Sequence, residues 1–450
     1  MRMLTQMLAF VAALVVMAQP VAAQSILRDA ETEALLDDMA APLIEAAGLR
    51  PEDVDIVLIN DSSVNAFVAG GQAVYINSGL INAADTAEEV QGVIAHELGH
   101  VTGGHAVLNM GAKSATNISL LSILLGVAAA AAGGGDAALG VLMAGQQAAM
   151  GKFLAFNRTQ EASADAAGAK YLSSAGISGR GSIEFFKKLQ NLEYRYGYIP
   201  RDGDEYYRTH PMTGDRIATL QDTYEQDSAW NAVSDARIET RFQRAKAKLF
   251  GYLAEPRDTL RTYPEYMTGV PARYARAYAF HKDAHLDKAV AEADALIAAD
   301  PDNPYFMELK GQILLESGKP DEALAMLRRA TTLTNNEPLI ATVFGHALIA
   351  TEDPANFEEA ERVLKAAVAR DRLNPFAWYQ LGVVYAANGD LARARLASAE
   401  QQALSGNMPA ALRSAKAAEA VLPQGSPDWI RAQDIALAAQ AAIERRKKDR

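Results

Sequence analysis

The 450 residues include no cysteine, so no disulfide staples the chain, no thiolate ligates a metal and no lipid-bearing cysteine follows a leader. Any metal must therefore be held by imidazole and carboxylate. Histidine is scarce as well, at seven residues, which makes two of them at ligand spacing informative. No apolar run reaches the roughly twenty residues that a membrane-crossing helix needs. The formal charge is -12 and the basic residues form no stripe, which argues against a phosphate-binding surface and against nucleic acid as a partner.

The composition present is that of a folded protein, 50% hydrophobic and 22% charged. Its length exceeds what one core sustains, so two or three domains are expected. Met1-Arg2-Met3, an apolar run from Met7 to Met17 and the small residues Val21-Ala22-Ala23 have the layout of a signal peptide cleaved after Ala23.

Apolar residues at helical spacing (Leu35, Leu36, Met39, Leu43, Ile44) predict a helix over 27–47, and Val54 to Ile59 reads as a strand. Asn65-Ala66-Phe67-Val68-Ala69 and Ala73-Val74-Tyr75-Ile76-Asn77, joined by Gly70-Gly71, read as a hairpin. Thr86-Ala87-Glu88-Glu89 fits a capping box opening a helix that ends near Gly103-Gly104. Between Asn117 and Phe153 an Ala/Gly-rich stretch is split by Gly133-Gly134-Gly135-Asp136. Each half holds about fifteen apolar residues, short of a membrane span, which predicts two short buried helices packed as a hairpin, with a flap or membrane-facing surface as the alternative. Helical pattern resumes through Glu161 and Asp165 to Tyr171, and again from Ser182 to Tyr196.

From about Asp258 the sequence repeats. Gly311 and Gly345 stand 34 apart, as do Ala289 and Ala323, and Ala360 and Ala394. The step from Gly345 to Gly382 is 37, the extra three residues falling in the loop Asp353-Pro354-Ala355-Asn356. This period, with Gly in the first helix, Ala in the second and Pro304, Pro338 and Pro375 between units, is that of tetratricopeptide repeats, which stack into a solenoid with a peptide-binding concave face.

His96-Glu97-Leu98-Gly99-His100 carries the chemistry. A step of four residues turns a helix by about 400°, so both imidazoles share one face and can share a tetrahedral zinc ion, one per chain. Glu97 lies beside them as the general base for an attacking water. A third ligand is required, and Glu161 is the best candidate; Asp165, one turn on, shares its face and can fix the tautomer of a ligand imidazole. Thr209-His210-Pro211 with Arg216 lies in a loop, since the residue before proline disfavours helix. On the residues alone His210 has three readings: a surface histidine, a metal ligand that blocks the water position, or a donor to the developing oxyanion. His105 falls off the ligand face and reads as structural, and His281, His285 and His346 belong to the repeats.

His96 to Thr102, Asn157 to Asp165 and Thr209-His210-Pro211 with Arg216 together resemble, in order and spacing, the HtpX and CAAX prenyl protease family of zinc proteases. With a signal peptide ahead and repeats behind, the chain resembles periplasmic, repeat-bearing members that act in outer-membrane protein quality control. The resemblance implies His96, His100 and Glu161 as zinc ligands, Glu97 as general base, Asp165 as support, and His210 as a regulatory or transition-state histidine that ligates in a latent state. It also implies that Asn65, Ala66, Phe67 and Val68 form an edge strand that pairs with extended substrate. The long membrane helices of other members are missing, which favours soluble or misfolded polypeptides over lipidated ones.

The expected fold is α+β, mostly α: a signal peptide at 1–23, a gluzincin-type zinc metalloprotease domain with a small β-sheet at 24–255, and an α-solenoid of tetratricopeptide repeats at 256–450. The expected function is a periplasmic zinc metalloendopeptidase acting on misfolded or stalled envelope proteins, its repeats binding substrate or the outer-membrane assembly machinery, with peripheral membrane contact at the apolar stretch. The competing expectation is a repeat-based chaperone or adaptor with a latent protease domain.

Overall fold

A computed structural model describes residues 25–105, 135–196, 210 and 214–448. The expected signal peptide, residues 117–134, Thr209 and Pro211 lie outside the described residues. The chain divides into two compact units, one of Leu35–Phe242 with the residues up to Arg28, the other of Asp29–Ala34 and Gln243–Arg450.

In the first unit, helix α1 (Ala30–Ala46) buries Leu35, Leu36, Met39, Leu43 and Ile44, the stripe its spacing predicts. The sheet has strand order β1 (Ser25–Ile26), β2 (Asp55–Asn60), β4 (Ala73–Asn77), β3 (Ala66–Ala69). β3 and β4 form the predicted hairpin, with Phe67 stacked on Tyr75 at 5.1 Å, and β4 runs parallel to β2. Gly70 and Gly71, at φ of 67° and 107°, supply the left-handed backbone that the turn needs. β3 is an edge strand among the described residues. β1, too short for a periodicity signal, closes the other edge antiparallel to β2.

Helix α2 (Ala87–Thr102) carries the histidine motif, and nearly all of it is buried. Its start follows the capping logic with one variation. Thr86 Oγ accepts from Glu89 N, but the Glu89 carboxylate returns to Asp85 N at 2.8 Å, one residue before the cap. Lys188 Nζ pairs with the same carboxylate at 2.7 Å, tying α4 (Arg180–Tyr196) to this end. Glu239 Oε2 accepts from Ala87 N at 2.8 Å, adding negative charge where the helix dipole favours it.

The second half of the apolar stretch is not a separate short helix. It begins α3 (Gly135–Ser174), one uninterrupted 40-residue helix that continues through Glu161 and Asp165. Gly135, the last of the glycine run, is the first residue of this helix. No helix among the described residues is long and apolar enough to cross a membrane. α5 (Gly214–Glu225) and the start of α6 (Ala236–Leu253) complete this unit.

In the second unit, α7 (Val270–Lys282) and α8 (Leu286–Ala299), α9 (Pro304–Glu316) and α10 (Pro320–Leu333), α11 (Pro338–Ala350) and α12 (Phe357–Arg370), α13 (Pro375–Ala387) and α14 (Leu391–Leu404), and α15 (Met408–Glu419) and α16 (Pro427–Lys448) form successive pairs. Pro304, Pro338 and Pro375 each open a first helix, where a missing N–H costs nothing. A Cβ at Gly311 would meet Leu327 at 2.4 Å, and one at Gly345 would meet Leu364 at 2.5 Å, which is why the first helix needs a bare position there. The three-residue insertion forms a 3₁₀ turn at Pro354–Asn356. Residues Asp29–Ala34 belong to this unit: Glu31 is buried, bonded to Arg244 and Tyr274, and Ala30 packs among Met307, Ala330 and Ile340.

Candidate metal centre

Four side chains from three places in the chain converge: His96 and His100 from α2, Glu161 from α3, and His210 just before α5. All are buried, as are Glu97 and Asp165. The close approach of α2 to α3 depends on small residues at their crossing. A Cβ at Gly99 would lie 2.6 Å from the Ala164 carbonyl, and one at Gly168 would lie 3.1 Å from Ala95 backbone atoms.

The donor atoms define most of a tetrahedron. His100 Nε2 lies 3.2 Å from His96 Nε2, which lies 3.3 Å from His210 Nδ1. Glu161 oxygens lie 3.0 Å from His210 Nδ1 and 3.4 Å from both His96 Nε2 and His100 Nε2. Zinc–nitrogen bonds of about 2.0–2.1 Å arranged tetrahedrally place their ligands about 3.4 Å apart, so the cluster has the size of a zinc site. Its charge fits too. Counted as ionised, three buried carboxylates (Glu97, Glu161, Asp165) against the Arg216 guanidinium leave two negative charges, which a divalent cation cancels.

The supporting contacts point the same way. His96 Nδ1 is 2.9 Å from Asp165 Oδ1, an ion-pair contact without hydrogen-bond alignment, which favours an N–H on Nδ1 and Nε2 as the ligating nitrogen. Arg216 grips Asp165 through two bonds of 2.7 and 2.8 Å and reaches Glu161 at 2.9 Å. Burial alone would raise both carboxyls; the imidazoles of His100, His210 and His96 instead hold Glu161 far below the usual carboxylate range, and His96 and Arg216 lower Asp165. Burial lowers the His96 imidazole, yet Asp165 and Glu161 overcome it and push its pKa up to about 10, another sign that the site demands positive charge.

Both oxygens of Glu97 are fully buried without a hydrogen-bond partner, and Oε1 lies 3.6 Å from His210 Nε2. An orphaned carboxylate beside four converging donors is costly unless the chemistry uses it. β3, including Ala66, Phe67 and Val68, packs beside α2, and the buried Asn65 accepts from Asn77 N.

The structure therefore brings together His96, Glu97, His100, Glu161, Asp165 and His210. Two residues have more than sequence suggested. Arg216 was visible only as a neighbour of His210, and nothing local signals that it clamps two carboxylates on α3. His105, read as structural, places Nδ1 2.8 Å from His100 Nδ1. His281, His285 and His346 sit in the second unit, His281 bonded to Glu316 at 2.7 Å.

Residues 27–224 match the profile of peptidase family M48, and residues 274–338 and 354–409 match that of the tetratricopeptide repeat. The chain carries an M48 peptidase domain. It is a metalloprotease whose repeats follow that domain. The chain is 27% identical over 403 residues to the beta-barrel assembly-enhancing protease of Escherichia coli (strain K12), spanning 87% of this chain and 79% of that one. The protease of the same name in Yersinia pestis is 27% identical over 388 residues, spanning 83% and 76%. Metalloprotease LoiP of Escherichia coli is 32% identical over 183 residues, spanning 40% of this chain and 65% of that one. In this M48 domain the four-donor cluster and Glu97 are the candidate active site.

Proposed function

We propose that the protein is a periplasmic zinc endopeptidase that cuts misfolded or stalled outer-membrane proteins. Residues 24–255 carry the chemistry, and residues 256–450 bind substrate or the assembly machinery. The observation that carries this reading is the convergence of His96, His100, Glu161 and His210 around a volume of zinc size beside an unpartnered Glu97. The named role of the similar beta-barrel assembly-enhancing proteases supports the substrate class.

Bound by His96, His100 and Glu161, a zinc ion supplies Lewis acidity to the attacking water and the scissile carbonyl. Glu97 takes the water's proton and passes it to the leaving amine. Asp165 holds the His96 ring, and Arg216 holds Asp165 and Glu161. The edge strand β3, starting after Asn65, offers the outward N–H and C=O groups of Ala66 and Val68 to an extended peptide while Phe67 pairs with β4, which favours unfolded over folded substrate. His210 Nδ1 stands where a fourth ligand would. That observation favours a second, latent state in which the chain acts through its repeats as a chaperone or adaptor.

The full chain is expected to cut an unfolded β-barrel protein and spare the folded form, to lose that activity on zinc chelation and to regain it when zinc is returned. Cleavage that survives removal of the metal, or that ignores the folding state, contradicts the proposal.

A further inference from the structure

α2 ends in a turn that folds the chain back on a metal ligand. Gly104 N donates to Val101 O and His105 N donates to His100 O, both at 3.0 Å, with Gly104 at φ 64°. This is the Schellman arrangement, which brings the second residue past the helix cap against the residue three from the helix end. That pair is usually apolar. Here it is His105 against His100, with their Nδ1 atoms 2.8 Å apart and their rings edge to face at 4.9 Å between centroids. Gly103 has an ordinary helical φ of -73° and needs no glycine for its backbone. A Cβ there would lie 2.5 Å from His105 Nε2, so the bare position makes room for the ring.

We infer that His105 is a positioning residue for the metal centre: its Nδ1 accepts a hydrogen bond from His100 Nδ1–H, fixing the tautomer and ring angle that present His100 Nε2 to the metal. At His96 the Asp165 carboxylate stands in the corresponding place, 2.9 Å from Nδ1. The two imidazole ligands are thus oriented by different partners, one charged and non-local, the other neutral and built into the helix end. This inference rests on the zinc reading of the preceding subsection.

The test separates a hydrogen-bond acceptor from an apolar staple. His105→Phe keeps the ring packed against His100 and removes the acceptor; His105→Asn keeps an acceptor oxygen at the place of Nδ1. Zinc affinity of the full chain, measured by competition with a chromogenic chelator, is expected to fall about 10–100-fold in His105→Phe and to return to within a few-fold of wild type in His105→Asn. The visible absorption bands of the cobalt-substituted protein are expected to change in His105→Phe and to be restored in His105→Asn. The thermal midpoint of each metal-free variant confirms that both fold. Wild-type affinity in His105→Phe, or equal loss in both variants, overturns the role given to His105 alone. A wild-type chain that binds no zinc overturns the metal reading and this one with it.

Discussion

His210 is the residue whose position carries most information about regulation. Its Nδ1 lies among the three ligands and its Nε2 is 3.6 Å from Glu97, so a single side chain sits between the metal site and the base. As the latent-state ligand proposed above, it would cap the centre in this position. Removing it leaves the three protein ligands typical of a catalytic zinc site, with a position open for water. His210→Ala is therefore expected to retain zinc and to raise hydrolysis of a short unstructured peptide several-fold. A rate lowered by about 10²–10³ instead would assign His210 to the oxyanion and contradict the cap. At this scale the residues of the cluster were legible where their spacing is local. His96 and His100, and Glu161 and Asp165, are each one helical turn apart, and the scarcity of histidine made the first pair specific. Arg216 was not legible as a clamp because its partner Asp165 stands 51 residues away.

The elements explain why the motif contains glycine. Gly99 lies on the face of α2 that crosses α3, against Ala164, one turn after Glu161. A methyl group there meets backbone instead of a movable side chain, so the two helices must part. Gly99→Ala is expected to destabilise the protein by about 1–3 kcal/mol in denaturant unfolding and to weaken zinc binding, because the displaced helix carries a ligand. Unchanged stability together with wild-type zinc affinity would show that the crossing is not tight. The helix cap, the hairpin and the repeat helices were readable since each is set by residues within a few positions. The continuity of α3 was not. Isolated Gly140, Gly145 and Gly151 each cost a helix about 1 kcal/mol, yet the helix runs from Gly135 through them to Ser174.

For the whole molecule, the period of 34 residues revealed the solenoid, because stacked repeats must present the same small residues at each crossing. The membership of Asp29–Ala34 in the second unit was hidden, since Tyr274 donates to Glu31 across 243 residues. The central claim concerns both units less than one carboxylate: Glu97 performs the proton transfer in a zinc site built by His96, His100 and Glu161. Its most direct test is cleavage of an unfolded β-barrel protein by the full chain carrying Glu97→Gln, with bound zinc measured in the same sample. The account predicts zinc bound as in wild type and cleavage lowered by about 10²–10⁴-fold. Undiminished cleavage at full zinc occupancy would contradict it.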